Sequence, residues 1–269
     1  MNGHERTSRG RVYLVGAGPG DVGLLTLKGH ELLERAEVIL YDHLVNPAML
    51  SLASPTALVT CVGSTHDPAR LTQDEIHQFL IRHARNGKLV VRLKGGDPFI
   101  FGRGGEEAQA LTEAGIEWEV VPGVSAGHAV PAYAGIPLTH RDHASSVAFV
   151  TGHECGDKRS VDWRKLATAV DTLVIFMAAR SLIGIVASLL DAGRPRSTPI
   201  AVIEQGTSTC QHVRLATLGT IVDSAEVDPI VSPALIVVGK VAALHRQLGW
   251  FEPAFQATGV MDEVLSSVS

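Results

Sequence analysis

Five short apolar runs recur in the first half of the chain, at residues 11–16, 37–41, 57–62, 88–93 and 117–121, with stretches of helical spacing between them. That alternation constrains the fold more than any other feature. A helix between two successive strands returns the chain to the same end of the sheet, so the runs predict βαβ units and a parallel sheet. Val, Leu, Ile and Ala carry the apolar content, and aromatic residues are only 5% of the chain. This suits strands buried on both faces. The clearest helix is predicted over 72–86. There Thr72 or Gln73 can start the first turn, and Ile76, Phe79, Leu80 and His83 share one face.

The pattern is punctuated at Val121-Pro122-Gly123. Pro122 disfavours helix at Val121, and Gly123 permits an unusual turn. A domain boundary is placed here. It gives a flexible tail over 1–10, an N-terminal α/β domain over 11–122, a C-terminal α/β domain over 123–251 and a tail over 252–269. The second half restarts with a helix at about 123–133. Strands are predicted at 146–151, 171–176, 198–204, 210–215 and 232–238. Only Gln205-Gly206-Thr207-Ser208-Thr209 separates two of them. That gap is too short for a helical crossover, so 198–204 and 210–215 are predicted to form an antiparallel hairpin in a mixed sheet.

The chain has 269 residues, 45% of them hydrophobic and 19% charged, which marks it as globular. Its net charge of −5 argues against a nucleic-acid partner, which calls for a basic face. A few arginines can still set a local field for an anionic small molecule. Cys61, Cys155 and Cys210 are far apart and form no CxxC pair, so neither a disulfide framework nor a zinc site is expected. The polar, basic start MNGHERTSRGR is not a signal peptide. No apolar run approaches the roughly 20 residues that span a bilayer. A soluble, cytoplasmic protein without a metal is expected.

Three stretches carry candidate chemistry. In VGAGPGDVG, residues 15–23, Gly16, Gly18 and Gly23 give only a relaxed glycine fingerprint. Asp42 lies where a ribose-binding acid would sit in a dinucleotide fold. Against that, Pro19-Gly20-Asp21 stands where the dinucleotide-binding helix should already run, and Asp21 would repel a pyrophosphate. A dinucleotide loop, a bare turn and a substrate-lining turn all remain open. In the second stretch, RLKGGDPFIFGRGGEE over 92–107, five glycines in eleven residues suggest a backbone brought close to ligands. Gly95-Gly96-Asp97 can offer amide donors and a carboxylate. Arg103 has a planar fork suited to carboxylates. In the third, Pro122-Gly123-Val124-Ser125-Ala126-Gly127 places small residues at a helix start, where a ligand can approach its positive end. Thr139-His140-Arg141-Asp142 adds another arginine in a turn.

These strings, with YD at 41–42, VVPGVSA, GIPLTHRD, VTGHE, IFMAAR, EQGT and SPALIVVGKV, follow one consistent order from about Val12 to Phe251. Together they resemble the S-adenosylmethionine-dependent uroporphyrinogen-III C-methyltransferases of the tetrapyrrole methylase superfamily. GAGPGD alone would indicate the superfamily; RLKGGDPFIFGRGGEE with GIPLTHRD is specific to this subgroup. Some relatives carry an extra dehydrogenase–chelatase module, for which this chain is too short, so a monofunctional enzyme is expected.

The resemblance implies two α/β domains with a ligand cleft between them and S-adenosylmethionine folded in that cleft. It implies cofactor contacts at Pro19, Gly95, Gly96, Asp97, Ile100, Ser125, Ala126, Met177 and Gly206. Of these, Met177 read by itself is core filling. The implied substrate is a cyclic tetrapyrrole bearing eight carboxylates, which gives Arg103, Glu106 and Arg141 a role in binding it. Asp42 matches the family's proton acceptor. A homodimer is implied by the resemblance alone. One departure stands out. The family commonly has Val-Gly-Lys-Arg after the third strand, with the lysine as proton donor; here the segment is Val62-Gly63-Ser64-Thr65. Serine supplies no comparable cation. Four readings stay open: His66 substitutes, the role is dispensable, this copy is a catalytically weakened binding paralogue, or the enzyme acts on another corrinoid or other acceptor.

Overall fold

The structure, a computed structural model, describes residues 10–64, 67–152 and 161–252. His66 and Cys155 lie outside the described residues, as do nearly all of both predicted tails. The chain divides into two compact units after Ser125.

The first unit runs β1 (Arg11–Gly16), α1 (Leu27–Arg35), β2 (Val38–Tyr41), β3 (Leu58–Cys61), α2 (Gln73–Arg85), β4 (Leu89–Lys94), α3 (Gly104–Glu113) and β5 (Glu117–Val121). Its sheet has the order β3-β2-β4-β1-β5, and every pairing is parallel. Apolar residues at alternate strand positions fill both faces. Val12, Leu40 and Val90 pack with Ile76 and Leu80 of α2 and with Ala108 and Leu111 of α3. Val15, Ile39 and Val91 pack with Leu32 and Leu33 of α1 on the other face.

The second unit runs α4 (Ala126–Tyr133), β6 (Val147–Thr151), α5 (Trp163–Ala169), β7 (Thr172–Phe176), α6 (Leu182–Asp191), β8 (Pro199–Glu204), β9 (His212–Thr217), α7 (Ile221–Val227), β10 (Ala234–Val238) and α8 (His245–Leu248). The sheet order is β6-β7-β10-β8-β9. β6 and β7 are parallel, and the other pairings are antiparallel. The sheet is mixed, and the predicted hairpin is present.

Several boundaries shift by one to three residues from the sequence reading, the division between the units among them, and two of the shifts have a clear local reason. The hairpin's second strand begins at His212 because Gln211 still belongs to the turn: its N–H donates to the Ser208 carbonyl at 3.0 Å, and its side-chain oxygen accepts from the Thr207 N–H at 2.8 Å. The helix placed at 123–133 begins only at Ala126. The Gly123 N–H is committed instead to the Asp97 carboxylate, at 3.0 Å.

At α2 the start is sharp. Thr72 accepts from the Glu75 N–H, and the Glu75 carboxylate accepts from the Thr72 N–H at 2.7 Å, closing a capping box. The Thr72 N–H and then the Thr72 hydroxyl, which donates to Glu75 Oε2 at 2.8 Å, hold the Glu75 carboxyl below its ordinary range. Thr72→Ala is expected to cost about 1 kcal/mol in chemical denaturation. A carboxyl lowered in the folded state stabilises above its unfolded value, about 4.3, and that contribution fades as pH falls through the folded value. The gap between wild type and Thr72→Ala should therefore narrow in acid.

No helix among the described residues is long and apolar enough to cross a membrane.

Candidate active site

In the first unit the candidate loops meet because three parallel strands end together. Gly16 is in register with Lys94, and Tyr41 with Leu93. The segments after β1, β2 and β4 therefore leave the same edge of the sheet. β1 and β4 are neighbours, yet α1 packs on one face and α3 on the other. Connections that diverge from adjacent parallel strands open a crevice at the carboxyl edge, where α/β sheets bind ligands.

VGAGPGDVG and the loop after β4 are joined directly. The Gly96 N–H donates to the Gly18 carbonyl at 2.7 Å, and the Gly18 N–H to the Gly96 carbonyl at 3.2 Å. Asn46, beyond β2, donates to the Gly20 carbonyl at 2.7 Å. After Gly18 the chain does not enter a helix. Asp21 caps a short 3-10 turn at Val22–Leu24, and α1 starts only at Leu27. The glycines therefore do not lead into a helix N-terminus, which the pyrophosphate reading of this loop requires, so that reading fails.

The backbones beneath the loops are in close contact. A Cβ on Gly123 would lie 2.2 Å from the Gly96 carbonyl oxygen and 2.6 Å from Gly16 Cα. Gly95 is different: a Cβ there would meet only Leu44 Cβ, at 3.7 Å. Packing does not demand glycine at 95, so the space beside it is free for a ligand. Both oxygens of Asp97 are engaged by the fold, Oδ1 by the Phe99 N–H at 2.8 Å and Oδ2 by the Gly123 N–H at 3.0 Å. Each oxygen keeps a second lone pair for a ligand donor.

Asp42 follows β2 at the same edge and is about a quarter exposed. Its Oδ1 accepts from Arg92 Nη2, and its Oδ2 lies 3.7 Å from Lys94 Nζ. Arg92 and Lys94 are each 2% exposed and share a third partner, the fully buried Glu107 of α3. Glu107 Oε1 accepts from Arg92 Nε at 3.1 Å and from Lys94 Nζ at 3.0 Å. Burial, reinforced by Arg92, pushes the Lys94 ammonium below the ordinary lysine range, and Asp42 and Glu107 pull it back. Sequence reasoning missed Arg92, Lys94 and Glu107. The signal was present: in LVVRLK, two charges two residues apart fall on one face of an otherwise apolar strand. Buried charges require partners.

Beyond Gly96 the loop exposes Phe99, Ile100 and Phe101. Arg103 pairs with Glu106 one turn on, Nε to Oε1 at 3.0 Å, and this holds the Glu106 carboxyl below its usual range. The pair is about half exposed, and such pairs are worth no more than about 1 kcal/mol. An incoming carboxylate can therefore take over the arginine at little cost.

In the second unit Ala126 opens α4, directly after the buried Ser125. Gly127 is buried rather than ligand-facing: a Cβ there would come within 2.7 Å of the Phe176 ring. Gly206 is half-buried, and a Cβ there would lie 2.4 Å from the Val130 side chain, so that side of it is closed by packing. Met177 is not core filling; it lies just past β7 and is 52% exposed. Arg141 is exposed in its turn and forms no ion pair among the described residues. Ser64 is half-buried after β3, its carbonyl accepting from the Asp67 N–H at 3.1 Å.

Backbone strain marks the same places. Among the described residues, the non-glycine residues in the left-handed region are Phe101, Arg103, Met177, Gln205 and Thr207. Each costs of order 1–3 kcal/mol. All are candidate residues or immediate neighbours of Ile100 and Gly206.

The family model described as Tetrapyrrole (Corrin/Porphyrin) Methylases matches residues 11–222. The chain belongs to the tetrapyrrole methylase family. It is 52% identical over 244 residues to a siroheme synthase of Pectobacterium atrosepticum, covering 91% of this chain and 50% of that protein. The chain thus spans about half the length of the siroheme synthases it matches. It is 48% identical to the uroporphyrinogen-III C-methyltransferase of Bacillus subtilis, covering 90% of this chain and 95% of that protein. A solved uroporphyrin-III C-methyltransferase of Thermus thermophilus, complexed with S-adenyl homocysteine, is 41% identical. It aligns with a TM-score of 0.76 over 87% of this chain and 99% of that chain. Among the described residues, no group of three or more His, Cys, Asp or Glu side chains could hold a metal ion.

Proposed function

We propose that the chain is an S-adenosylmethionine-dependent uroporphyrinogen-III C-methyltransferase, methylating ring positions 2 and 7 to give precorrin-2 by way of precorrin-1. The observation that carries the reading is the gathering of Pro19, Asp42 and Gly95-Gly96-Asp97 on one carboxyl edge of the first sheet, where two connections diverge. The likeness to the Bacillus enzyme along nearly the whole of both chains supports it.

The residues fit the methyl donor. Gly95 leaves space that no packing requires, and Asp97 keeps acceptor capacity for an amino or hydroxyl group. Pro19, Ile100, Ser125, Ala126, Met177 and Gly206 complete the proposed donor contacts. Bound there, S-adenosylmethionine supplies an electrophilic methyl group on sulfur. The chain's part is to hold the pyrrole carbon in line with it. Arg103 and Arg141 bind the substrate's carboxylates, with Glu106 released from Arg103 as they do. Asp42 accepts the proton lost as the methylated ring settles to its stable tautomer. The reading includes a cytoplasmic homodimer, for which light scattering is the direct check.

Incubation with uroporphyrinogen III and methyl-labelled donor should place label in the tetrapyrrole and release two S-adenosylhomocysteines per precorrin-2. No label, with an authentic enzyme active alongside, would overturn the reading. Arg103→Ala and Arg141→Ala should each raise the KM for the tetrapyrrole about ten-fold or more, the worth of a charge-assisted hydrogen bond. The donor Kd should hardly move; an equal loss in both would contradict the assignment. Ser64 favours a second reading, in which another corrinoid is the preferred acceptor. Turnover compared across acceptors separates the two.

A further inference from the structure

Lys94 has no part in the chemistry above, yet it lies directly against Asp42. It is the last residue of β4, 2% exposed, with Nζ 3.0 Å from Glu107 Oε1 and 3.7 Å from Asp42 Oδ2. Its stem runs beneath the ligand loop, since a Cβ on Gly102 would lie 3.4 Å from Lys94 Cε. Arg92 and Lys94 balance Asp42 and Glu107, two cations against two anions. Such a set is stable only while it stays balanced, because an uncompensated buried charge is costly. Arg92 cannot release its proton. Lys94 is the cation of the set that can.

We propose that Lys94 is a positioning residue for the methyl-transfer reaction: its buried ammonium fixes the Asp42 carboxylate at the sheet edge, supplying from β4 a cation that Ser64 does not supply. Its catalytic meaning rests on the function proposed above; its titration does not. The groups that act on Lys94 are Asp42 beyond β2, Arg92 on β4, and Glu107 and Glu106 on α3. His77 on α2 reaches the cluster through Gln73, whose amide nitrogen is 3.0 Å from His77 Nε2 and 3.5 Å from Glu107 Oε1. Burial is the largest influence on Lys94 and favours its neutral form, with Arg92 acting in the same sense. As pH rises Lys94 therefore loses its proton before ordinary lysines do, and Asp42 loses that partner.

Two measurements test this. In the first, the chain carries lysine labelled with carbon-13 at Cε, and the Lys94 signal is identified by its loss in Lys94→Arg. That signal should titrate below those of the other lysines. Asp42→Asn should lower its midpoint further, because the anion that favours the charged form is gone. A midpoint shared with the other lysines, or unmoved by Asp42→Asn, overturns the proposal whether or not the chain methylates uroporphyrinogen III. The second is the pH profile of kcat. Wild type should lose activity on a basic limb. Lys94→Arg, whose cation persists, should keep most of the activity and move that limb to higher pH. Lys94→Met should abolish the limb and lower kcat about 10- to 100-fold, the usual cost of a misplaced group, with KM for the tetrapyrrole and donor Kd within about two-fold. Retained donor binding shows that each variant folds. A wild-type rate and limb in Lys94→Met would overturn the proposal. A wild type inactive on uroporphyrinogen III would instead count against the proposed substrate and leave the titration to decide on Lys94.

Discussion

Asp42→Asn is expected to cut turnover by roughly 10²- to 10⁴-fold, the range for removing a positioned acid–base group. Affinity for S-adenosylmethionine should stay within about two-fold. Asparagine keeps an oxygen to accept from Arg92, Arg92 and Lys94 keep Glu107, and Lys94 can release its proton to offset the lost anion, so the edge of the sheet should hold its shape. The variant lacks a group that can accept a proton from the methylated ring. Single-turnover kinetics with donor binding measured in parallel separates these effects. An unchanged rate would retire Asp42 as the base.

The second large effect distinguishes two glycines. Gly123→Ala drives a Cβ into the Gly96 carbonyl at 2.2 Å and into the Gly16 backbone at 2.6 Å. Backbone atoms cannot swing aside as a flexible side chain can. A loss of about 3 kcal/mol is expected, together with the Asp97–Gly123 hydrogen bond that ties β5 to the loop. Gly95→Ala meets only Leu44, at an ordinary van der Waals distance. Its stability should be close to wild type, while its donor affinity should fall about ten-fold, equivalent to 1.4 kcal/mol, because the methyl fills space meant for ligand. Denaturation and calorimetric titration on the two variants give the comparison. Unaltered donor binding in Gly95→Ala would mean that the space beside Gly95 is not used by the donor.

Much of this protein was legible one segment at a time. The strand runs, the hairpin and the start of α2 are local facts: short continuous apolar runs, a gap too short for a crossover, and a Thr72–Glu75 box written three residues apart. The candidate loops were legible too, because glycines at that density around an arginine make poor core. Met177 was not, since a methionine at a strand end looks like packing until its exposure and its left-handed backbone are known.

By itself the sequence determined the α/β class, the parallel and mixed character of the two sheets, and the candidate loops for the proposed site. Only the tertiary structure decided the rest, because β4 inserts between β2 and β1. That strand order brings Gly96 against Gly18 and leaves no room for a side chain at Gly123. It also seats Arg92 and Lys94 between Asp42 and Glu107. An apolar run is written in each strand's own residues, whereas a charge finds its partner across strands whose order no local pattern encodes.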